Sequence, residues 1–220
     1  MQEIASYIDH TVLKPDLTYL DIRRVCEEAI TYNFKAVCVP PKYVQLAKLL
    51  LSTSQVRIAT VIGFPLGYNT IETKTIEILQ AIKDGADEFD IVHDISALKS
   101  DDWETLRESS ELLLNPLKKA GKTSKIILET GLLTHDEIIN CCHIYTALQV
   151  DFLKTSTGFT EKGASVEVVS IMRKYLPSTI SIKASGGIRS FAFAKELIDA
   201  GATRIGTSSG LAIVKEAKEM

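Results

Sequence analysis

The sequence predicts an α/β fold in which a single domain, residues 1–220, forms a closed parallel (β/α)8 barrel, or TIM barrel. Three observations predict it. Eight short apolar runs alternate with segments whose apolar residues recur at helical spacing. Successive runs begin roughly 23 to 36 residues apart, which is the period of a βα unit. The length of 220 residues suits one barrel domain, and no linker rich in proline, glycine or serine divides the chain.

The apolar runs are short enough to be strands, so we expect eight of them. They span residues 6–13, 34–40, 57–63, 88–94, 124–130, 151–157, 179–185 and 203–208. Helical spacing is clearest at residues 20–33, 70–85, 103–121, 165–176 and 191–202. A doubly wound open sheet uses the same βα unit and is the alternative, but no G-x-G-x-x-G motif opens the first helix. The count of eight and the single-domain length favour the barrel.

Residues suited to helix capping lie at the predicted helix ends. Asp16 or Thr18 is expected to cap the first helix, and Thr134 the fifth, where Glu137 completes a capping box. Glycines follow three helical segments at positions where a left-handed residue is expected, namely Gly85, Gly121 and Gly201. The helix ends therefore agree with the alternation of strands and helices.

Composition and charge exclude several classes of protein. Hydrophobic residues make up 45% of the chain and charged residues 24%, as in a soluble globular protein. The net charge of −3 and the lack of a basic run exclude a nucleic-acid partner or a membrane surface. No signal peptide is recognised, so we expect a cytoplasmic protein. The four cysteines, Cys26, Cys38, Cys141 and Cys142, form no C-x-x-C pair and are expected to be reduced thiols.

Two predicted strands each carry a lysine among apolar residues. Because side chains alternate between the faces of a strand, Lys154 and Lys183 are expected to point into the barrel. The same alternation turns Asp90 inward, between Phe89 and Ile91, which suit the helix side. A lysine that reaches water from an edge strand, or a purely structural Lys–Asp ion pair, is the alternative. Two lysines at matching points of adjacent strands, with an inward aspartate, favour a chemical role.

Buried amines on neighbouring strands change each other's chemistry. Parallel strands lie about 4.8 Å apart, so repulsion between Lys154 and Lys183, together with desolvation, is expected to lower the lysine pKa. A neutral lysine amine attacks a carbonyl and forms a Schiff base. The protonated imine accepts electrons, so that a neighbouring C–C bond breaks or forms without a metal. Asp90, directly or through water, is the expected proton carrier.

Glycine-rich segments follow the last three predicted strands, at 155–159, 183–190 and 206–212. In many barrels the loops after strands seven and eight hold a phosphate group with their backbone N–H groups. The expected phosphate-binding residues are Gly158, Gly186, Gly187, Gly206, Ser208 and Ser209. Arg189 and Lys162 are candidates to add positive charge. The alternative is that these glycines serve turn geometry alone.

A metal site is not expected. His10, His93, His135, Glu129 and Asp94 lie near strand ends, but their spacing matches no ligand motif, so packing or supporting roles are expected. Three further residues are candidates to line the pocket: Cys38, Asp94 and Thr155. For Cys38 a packed thiol is the alternative. No cofactor is predicted.

Eight motifs distributed along nearly the whole chain are similar, in the same order, to those of one family. They are IDHTVLKPD (8–16), AVCVPPKY (36–43), VIGFPLGYNT (61–70), EFDIV (88–92), ILETGLLT (127–134), DFLKTSTGF (151–159), IKASGGIR (182–189) and GTSSG (206–210). Together they closely resemble the deoxyribose-phosphate aldolase family. The combination of LKTSTGF with KASGGIR is specific, because it separates this family from other phosphate-binding barrels.

The resemblance implies a metal-independent class I aldolase without cofactors. It would reversibly cleave 2-deoxy-D-ribose 5-phosphate to glyceraldehyde 3-phosphate and acetaldehyde, in cytoplasmic deoxynucleoside catabolism. By motif position Lys154 resembles the Schiff-base lysine, Lys183 the lysine that perturbs its pKa and aids proton transfer, and Asp90 the general acid/base. Family members are homodimers or homotetramers. Another phosphosugar lyase or isomerase, or a non-catalytic phosphosugar-binding barrel, is the alternative.

Two departures from the family pattern concern the pocket. Asp94 stands where the family often has asparagine, and an inward Asp94 would add negative charge there. Some members use a C-terminal tyrosine to assist proton transfer. Here the last tyrosine is Tyr175 and the sequence ends KEAKEM, so we expect that assistance to be absent or supplied differently.

Overall fold

Eight short parallel strands pair in chain order, and the eighth pairs with the first, so the sheet closes into a barrel. The computed structural model describes residues 2–219. The strands are β1 (Ile8–Thr11), β2 (Ala36–Val39), β3 (Arg57–Ile62), β4 (Glu88–Val92), β5 (Thr123–Ile127), β6 (Phe152–Lys154), β7 (Ser181–Ser185) and β8 (Arg204–Thr207). The predicted (β/α)8 barrel is confirmed, with strands shorter than the apolar runs.

Helices follow every strand and surround the barrel. They are α1 (Gln2–Ala5), α2 (Tyr19–Tyr32), α3 (Val44–Leu50), α4 (Ile71–Asp84), α5 (Ile95–Lys99), α6 (Trp103–Lys119), α7 (His135–Ala147), α8 (Val166–Tyr175), α9 (Phe191–Asp199) and α10 (Gly210–Glu219). Short 3-10 turns lie at Pro41–Tyr43 and Thr130–Leu132. Within residues 2–219, the helices are too short or too polar to cross a bilayer.

The predicted helix starts are confirmed at two capping boxes. Thr18, rather than Asp16, caps α2: its hydroxyl accepts from the Asp21 N–H at 3.4 Å, and the Asp21 carboxylate accepts from the Thr18 N–H at 2.9 Å. Thr134 and Glu137 make the same pair of contacts at the start of α7. These side chains satisfy backbone N–H groups that have no partner within the helix.

Alternation along the strands separates an apolar outer face from an inner face that carries the buried charged side chains. Phe89 and Ile91 of β4 join the continuous apolar core that the strands share with the helices, as predicted. The inward residues are brought together by register: Lys154 pairs with Lys183 across β6 and β7, and Asp90 pairs with Lys125 across β4 and β5. The closed sheet thus directs charged side chains from separate strands into one interior.

A buried series of hydrogen bonds connects His93, just after β4, with helices α6 and α7. The His93 ring contacts the Tyr145 hydroxyl at 3.2 Å and the Leu128 carbonyl at 3.1 Å, and Tyr145 in turn contacts the Ser110 hydroxyl at 3.1 Å. Burial lowers the pKa of His93 to about 4, although the contact with Leu128 opposes that shift. His93 is therefore neutral in the folded protein at neutral pH.

We expect the free energy of unfolding to fall as pH drops from 6.5 to 4, because unfolded His93 binds a proton there and folded His93 does not. The shift from 6.5 to about 4 corresponds to about 3 kcal/mol. Urea unfolding of the wild type and of His93→Gln at a series of pH values tests this. The variant should lose less stability over that interval, and parallel curves would contradict the assignment.

Candidate active site

Six charged side chains inside the barrel form a closed ring of ion pairs, here called the ion-pair ring. In order around the ring they are Asp9, Lys183, Asp90, Lys125, Glu88 and Arg204. The Lys183 Nζ lies 2.5 Å from Asp9 Oδ2 and 2.8 Å from Asp90 Oδ2. Both lysines of the ring are fully buried, so these charges are compensated by one another rather than by solvent.

The other half of the ring is built in the same way. The Lys125 Nζ lies 2.8 Å from Asp90 Oδ1 and 2.7 Å from Glu88 Oε2. The Arg204 guanidinium lies 2.7 Å from Glu88 Oε1, and its other terminal nitrogen contacts Asp9 Oδ1. Each carboxylate therefore pairs through both of its oxygens, and each cation pairs with two carboxylates.

Lys154 is attached to the ring from the side. Its Nζ donates to Asp90 Oδ2 at 2.8 Å, the same oxygen that Lys183 contacts. The ring itself holds three carboxylates and three cations. Lys154 is the fourth cation, so the cluster carries one excess positive charge when all seven groups are ionised.

The electrostatics correct one expectation from the sequence. Burial lowers the pKa of Lys183, but the attraction of Asp9 and Asp90 outweighs it and holds that pKa above its usual value. The prediction that the two lysines lower each other's pKa is therefore wrong for Lys183. Attraction by the two carboxylates exceeds the effects that lower its pKa.

The neighbouring cations lower the pKa values of the carboxylates. Burial raises the pKa of Asp90, but Lys125, Lys154 and Lys183 outweigh it and hold the pKa well below its usual range. The pKa of Asp9 is lowered to about 2, since attraction by its cations exceeds the effect of burial. Both carboxylates are ionised at neutral pH.

A cavity of about 750 Å³ opens at the carboxyl ends of β1, β6, β7 and β8. Of the seven charged residues just described, Lys154 is the one that lines this cavity, although its side chain is only 3% exposed. A small molecule in the cavity would therefore meet the surplus amine, while the other six groups lie beneath it.

Most of the predicted phosphate-binding residues line the same cavity. They are Gly158, Gly186, Gly187, Gly206 and Ser208, joined by Arg189. Gly186 and Gly187 have φ values of +95° and +77°, which favour glycine, and a side chain on Gly186 would lie 2.9 Å from Gly163. Lys14 and Arg24 also line the cavity and were not predicted. Lys162 does not line it, so its predicted contribution of charge finds no support.

Ser209 lies beside the cavity rather than in it. It lines a smaller pocket between β1, α2 and α10, and its backbone N–H donates to the Thr207 hydroxyl at 2.8 Å. Ser209 is thus not among the residues that line the cavity, whereas the adjacent Ser208 lines both pockets.

The three further pocket candidates are also placed elsewhere. Asp94 caps α5, accepting from the Ala97 N–H at 3.0 Å, because the chain leaves β4 before it. The Thr155 hydroxyl donates to the Ser185 carbonyl at 3.1 Å. Cys38 points into the barrel but is covered, with no exposed surface, and burial raises its pKa. None of the three lines the cavity.

Four members of the ion-pair ring were missed from the sequence: Asp9, Glu88, Lys125 and Arg204. Each lies in a strand directly beside a buried isoleucine or phenylalanine. Lys125 alternates with Ile126 in β5, so the argument that placed Lys183 inward would have placed Lys125 there too. The signal was present in the alternation of each strand.

The residues considered for a metal have other partners. The His10 ring lies 2.6 Å from Glu28, and buried Glu129 accepts from the backbone and hydroxyl of Thr157, so that it holds the loop after β6. His135 is exposed, 3.5 Å from Glu167. Over residues 2–219 no group of three or more histidine, cysteine, aspartate or glutamate side chains is arranged to bind a metal ion.

Comparison with known proteins agrees with this geometry. The family model described as DeoC/LacD family aldolase matches residues 4–216. The deoxyribose-phosphate aldolase of Caldanaerobacter subterraneus subsp. tengcongensis is 47% identical over 220 residues, covering 100% of this chain and 95% of the relative. That of Thermococcus gammatolerans is 47% identical, covering 98% and 97%.

Solved structures show the same fold. The deoxyribose phosphate aldolase from Aeropyrum pernix, described as tetrameric, superposes with a TM-score of 0.92 at 32% identity and covers 99% of this chain and 92% of that one. The aldolase QR15 superposes with a TM-score of 0.93 at 37% identity, covering 100% and 97%. The resemblance seen in the sequence motifs is confirmed: the chain belongs to the DeoC/LacD family of aldolases and, within it, to the deoxyribose-phosphate aldolases.

Proposed function

We propose that this aldolase reversibly cleaves 2-deoxy-D-ribose 5-phosphate to glyceraldehyde 3-phosphate and acetaldehyde through a Schiff base on Lys154, without a metal or cofactor. One observation carries the proposal. Lys154 is the cation that exceeds the charge balance of the ion-pair ring, and it is the member of that cluster that lines the cavity. Relatives that share 47% of the residues are named for this substrate.

The charge balance favours Lys154 as the nucleophile. Lys125, Lys183 and Arg204 each pair with two carboxylates, whereas Lys154 pairs with a single oxygen of Asp90. Without Lys154 the cluster holds three positive and three negative charges, a balance that is favoured in a buried site. Lys154 is therefore the amine whose separation from its partner disturbs the ring least, and it is the one we expect to attack the substrate.

The reaction then follows from the chemistry of an imine. The Lys154 amine adds to the C1 aldehyde of the open-chain sugar, water leaves, and a protonated imine forms. A base takes the proton of the C3 hydroxyl, the C2–C3 bond breaks, and its electron pair moves into the imine to give an enamine. Glyceraldehyde 3-phosphate leaves. Protonation of the enamine at C2 and hydrolysis of the imine release acetaldehyde and restore Lys154.

Asp90 and Lys183 are the proposed proton carriers. Asp90 Oδ2 accepts from both Lys154 and Lys183, so it connects the reacting nitrogen with a second ammonium group. Its low pKa means that it stays an anion while the imine is positively charged, and this stabilises the imine. Protons are proposed to pass between the substrate and Lys183 through Asp90 or a water molecule.

The phosphate end of the substrate is proposed to lie against the loops after β6, β7 and β8. Gly186 and Gly187 bring backbone close to the cavity, and Ser208 and Arg189 add a hydroxyl and a positive charge. Backbone N–H groups and cations at this corner of a barrel suit a phosphate dianion. Lys154 lines the same cavity as these loops, so one substrate molecule could contact both.

For the cellular setting we propose deoxynucleoside catabolism in the cytoplasm, in the form of a homodimer or homotetramer. The tetramer described for the Aeropyrum pernix relative supports an assembly of this kind.

Borohydride reduction in the presence of acetaldehyde or 2-deoxyribose 5-phosphate tests the nucleophile. With EDTA present, we expect a stable adduct on Lys154, located by peptide mass mapping, and none in Lys154→Met. An adduct on another lysine would contradict the assignment. Activity that EDTA abolishes, without an adduct, would favour a metal-dependent lyase or isomerase, and binding without turnover would favour a phosphosugar-binding barrel.

Ser208→Asp tests the phosphate end. The added carboxylate repels the phosphate dianion, so we expect KM for 2-deoxyribose 5-phosphate to rise by tenfold or more, an effect of about 1.4 kcal/mol. Turnover of unphosphorylated 2-deoxyribose should change by less than twofold. Equal losses on both sugars would contradict the placement of the phosphate.

Glu88→Gln tests the charge balance from the far side of the ion-pair ring. Loss of this carboxylate adds net positive charge to the cluster, which disfavours the positively charged imine on Lys154, so kcat/KM should fall by roughly tenfold. The double variant Glu88→Gln/Lys125→Met removes one charge of each sign and should recover part of that loss. Thermal unfolding checks that both variants are folded, since breaking a buried pair costs about 3–5 kcal/mol. An unchanged kcat/KM in Glu88→Gln would refute the proposal.

A further inference from the structure

Glu129 is a buried carboxylate to which the proposed reaction gives no role. It follows β5 by two residues and is 1% exposed. Its backbone φ of +53° lies in the left-handed region, which residues other than glycine seldom adopt. Within residues 2–219, the contacts of this carboxylate are hydrogen bonds rather than ion pairs. A buried acidic group needs such donors, and their position shows which part of the molecule the group holds.

The donors come from one loop, residues 155–164, which follows β6 and is here called the β6 loop. The Thr157 N–H lies 3.3 Å from each carboxylate oxygen of Glu129, and the Thr157 hydroxyl donates to Glu129 Oε2. The Thr160 hydroxyl donates to Glu129 Oε1 at 3.1 Å. The Phe159 N–H in turn donates to the Thr157 hydroxyl oxygen at 3.1 Å. One carboxylate therefore fixes both sides of the tip of this loop.

Close backbone contacts hold the β6 loop between its two neighbours. On the side of β5, a side chain at Gly131 would lie 2.7 Å from the Lys162 carbonyl oxygen. On the side of β7, the Ala164 N–H donates to the Gly186 carbonyl at 3.1 Å, and a side chain at Gly163 would overlap that same carbonyl. The loops after β5, β6 and β7 are therefore packed against one another, so a shift of the β6 loop would also displace the loop after β7.

The β6 loop forms one side of the proposed phosphate corner. Thr157, Gly158 and Phe159 line the cavity together with Gly186 and Gly187. Gly158 has a φ of +85°, and a side chain there would lie 3.6 Å from the Gly186 Cα, so the two loops meet at the cavity. The threonine that contacts the buried carboxylate therefore also lies at the surface that the phosphate is proposed to occupy.

Lys154 is held in place independently of Glu129. It lies in β6, where it pairs in register with Ile127 of β5 and Lys183 of β7. Its Nζ donates to Asp90 at 2.8 Å. Loss of the Glu129 carboxylate should therefore disturb binding of the phosphate group and leave the reacting amine in position.

We propose that Glu129 is a positioning residue that fixes the β6 loop as a wall of the phosphate corner and thereby sets the preference for phosphorylated over unphosphorylated sugars. It acts through Thr157 and Thr160 rather than by contact with the substrate. A loop that is already ordered loses little conformational freedom when the phosphate binds, so its affinity for the phosphate is higher. The inference rests on the proposed aldolase reaction and names the group that gives the phosphate corner its shape.

Kinetics with two sugars measure this role. Hydrogen bonds to a charged group are strong enough that their loss in Glu129→Ala should raise KM for 2-deoxyribose 5-phosphate by about tenfold. Both kcat and the turnover of unphosphorylated 2-deoxyribose should change by less than about twofold, because Lys154 keeps its partners. Glu129→Gln retains an oxygen that accepts from Thr157, so its KM should lie within about threefold of the wild type. Thr160→Val removes one donor that does not line the cavity and should raise the same KM by a smaller factor.

A matched control separates positioning from general loss of stability. Thr134→Ala removes the N-cap of α7, five residues after Glu129, and should lower Tm while leaving the relative KM values for the two sugars unchanged. In the Glu129→Ala background, Thr160→Val should have no additional effect on KM, because its partner is already missing.

Equal losses on both sugars in Glu129→Ala, or an unchanged KM for the phosphorylated sugar, overturn the inference. A wild type that cleaves neither sugar overturns the proposed function instead. The inference is then decided by calorimetric titration of Lys154→Met with the two sugars, with and without Glu129→Ala. Weaker binding of 2-deoxyribose 5-phosphate alone supports it, and unchanged binding overturns it.

Discussion

The closed ring of ion pairs is the constraint on which the rest of the site depends. Charges buried this deeply are tolerated only when each has partners, and the ring provides two for each of its six members. Lys154 lies outside this arrangement because it contacts one carboxylate only, through the Asp90 oxygen that it shares with Lys183. Lys154 differs from the other lysines because the cluster contains four cations and three carboxylates.

The cavity exposes the unbalanced lysine, Lys154, to small molecules and leaves the other two lysines of the cluster covered. Lys125 and Lys183 have the same side chain as Lys154, yet they are fully buried and do not line the cavity. Of the three lysines in the buried cluster, a carbonyl compound in the cavity therefore meets Lys154 alone, and the other charges of the cluster act on it through Asp90. Glycine-rich loops after β6, β7 and β8 line the cavity together with Val12, Leu13 and Leu17, which follow β1.

The sequence was sufficient for the barrel and for the inward placement of Asp90, Lys154 and Lys183, because strand alternation and the βα period are local properties. It failed where alternation was extended beyond a strand end. Asp94 follows β4 by two residues and caps α5 instead of pointing inward. The ring was missed for a different reason. Its pairs link strands that are distant along the chain, so the positions of Asp9 and Arg204 mattered only once the sheet had closed.

Closure of the ring also couples the two ends of the chain. Asp9 lies in β1 and Arg204 in β8, 195 residues apart, and their ion pair forms only when the last strand docks beside the first. A partly assembled barrel would bury Asp9, Lys183 or Glu88 with a partner missing, which is a heavily penalised state. Half-barrel intermediates are thereby destabilised, and assembly of the sheet becomes close to all-or-none. The charges that surround the proposed nucleophile thus also make folding of the whole barrel cooperative.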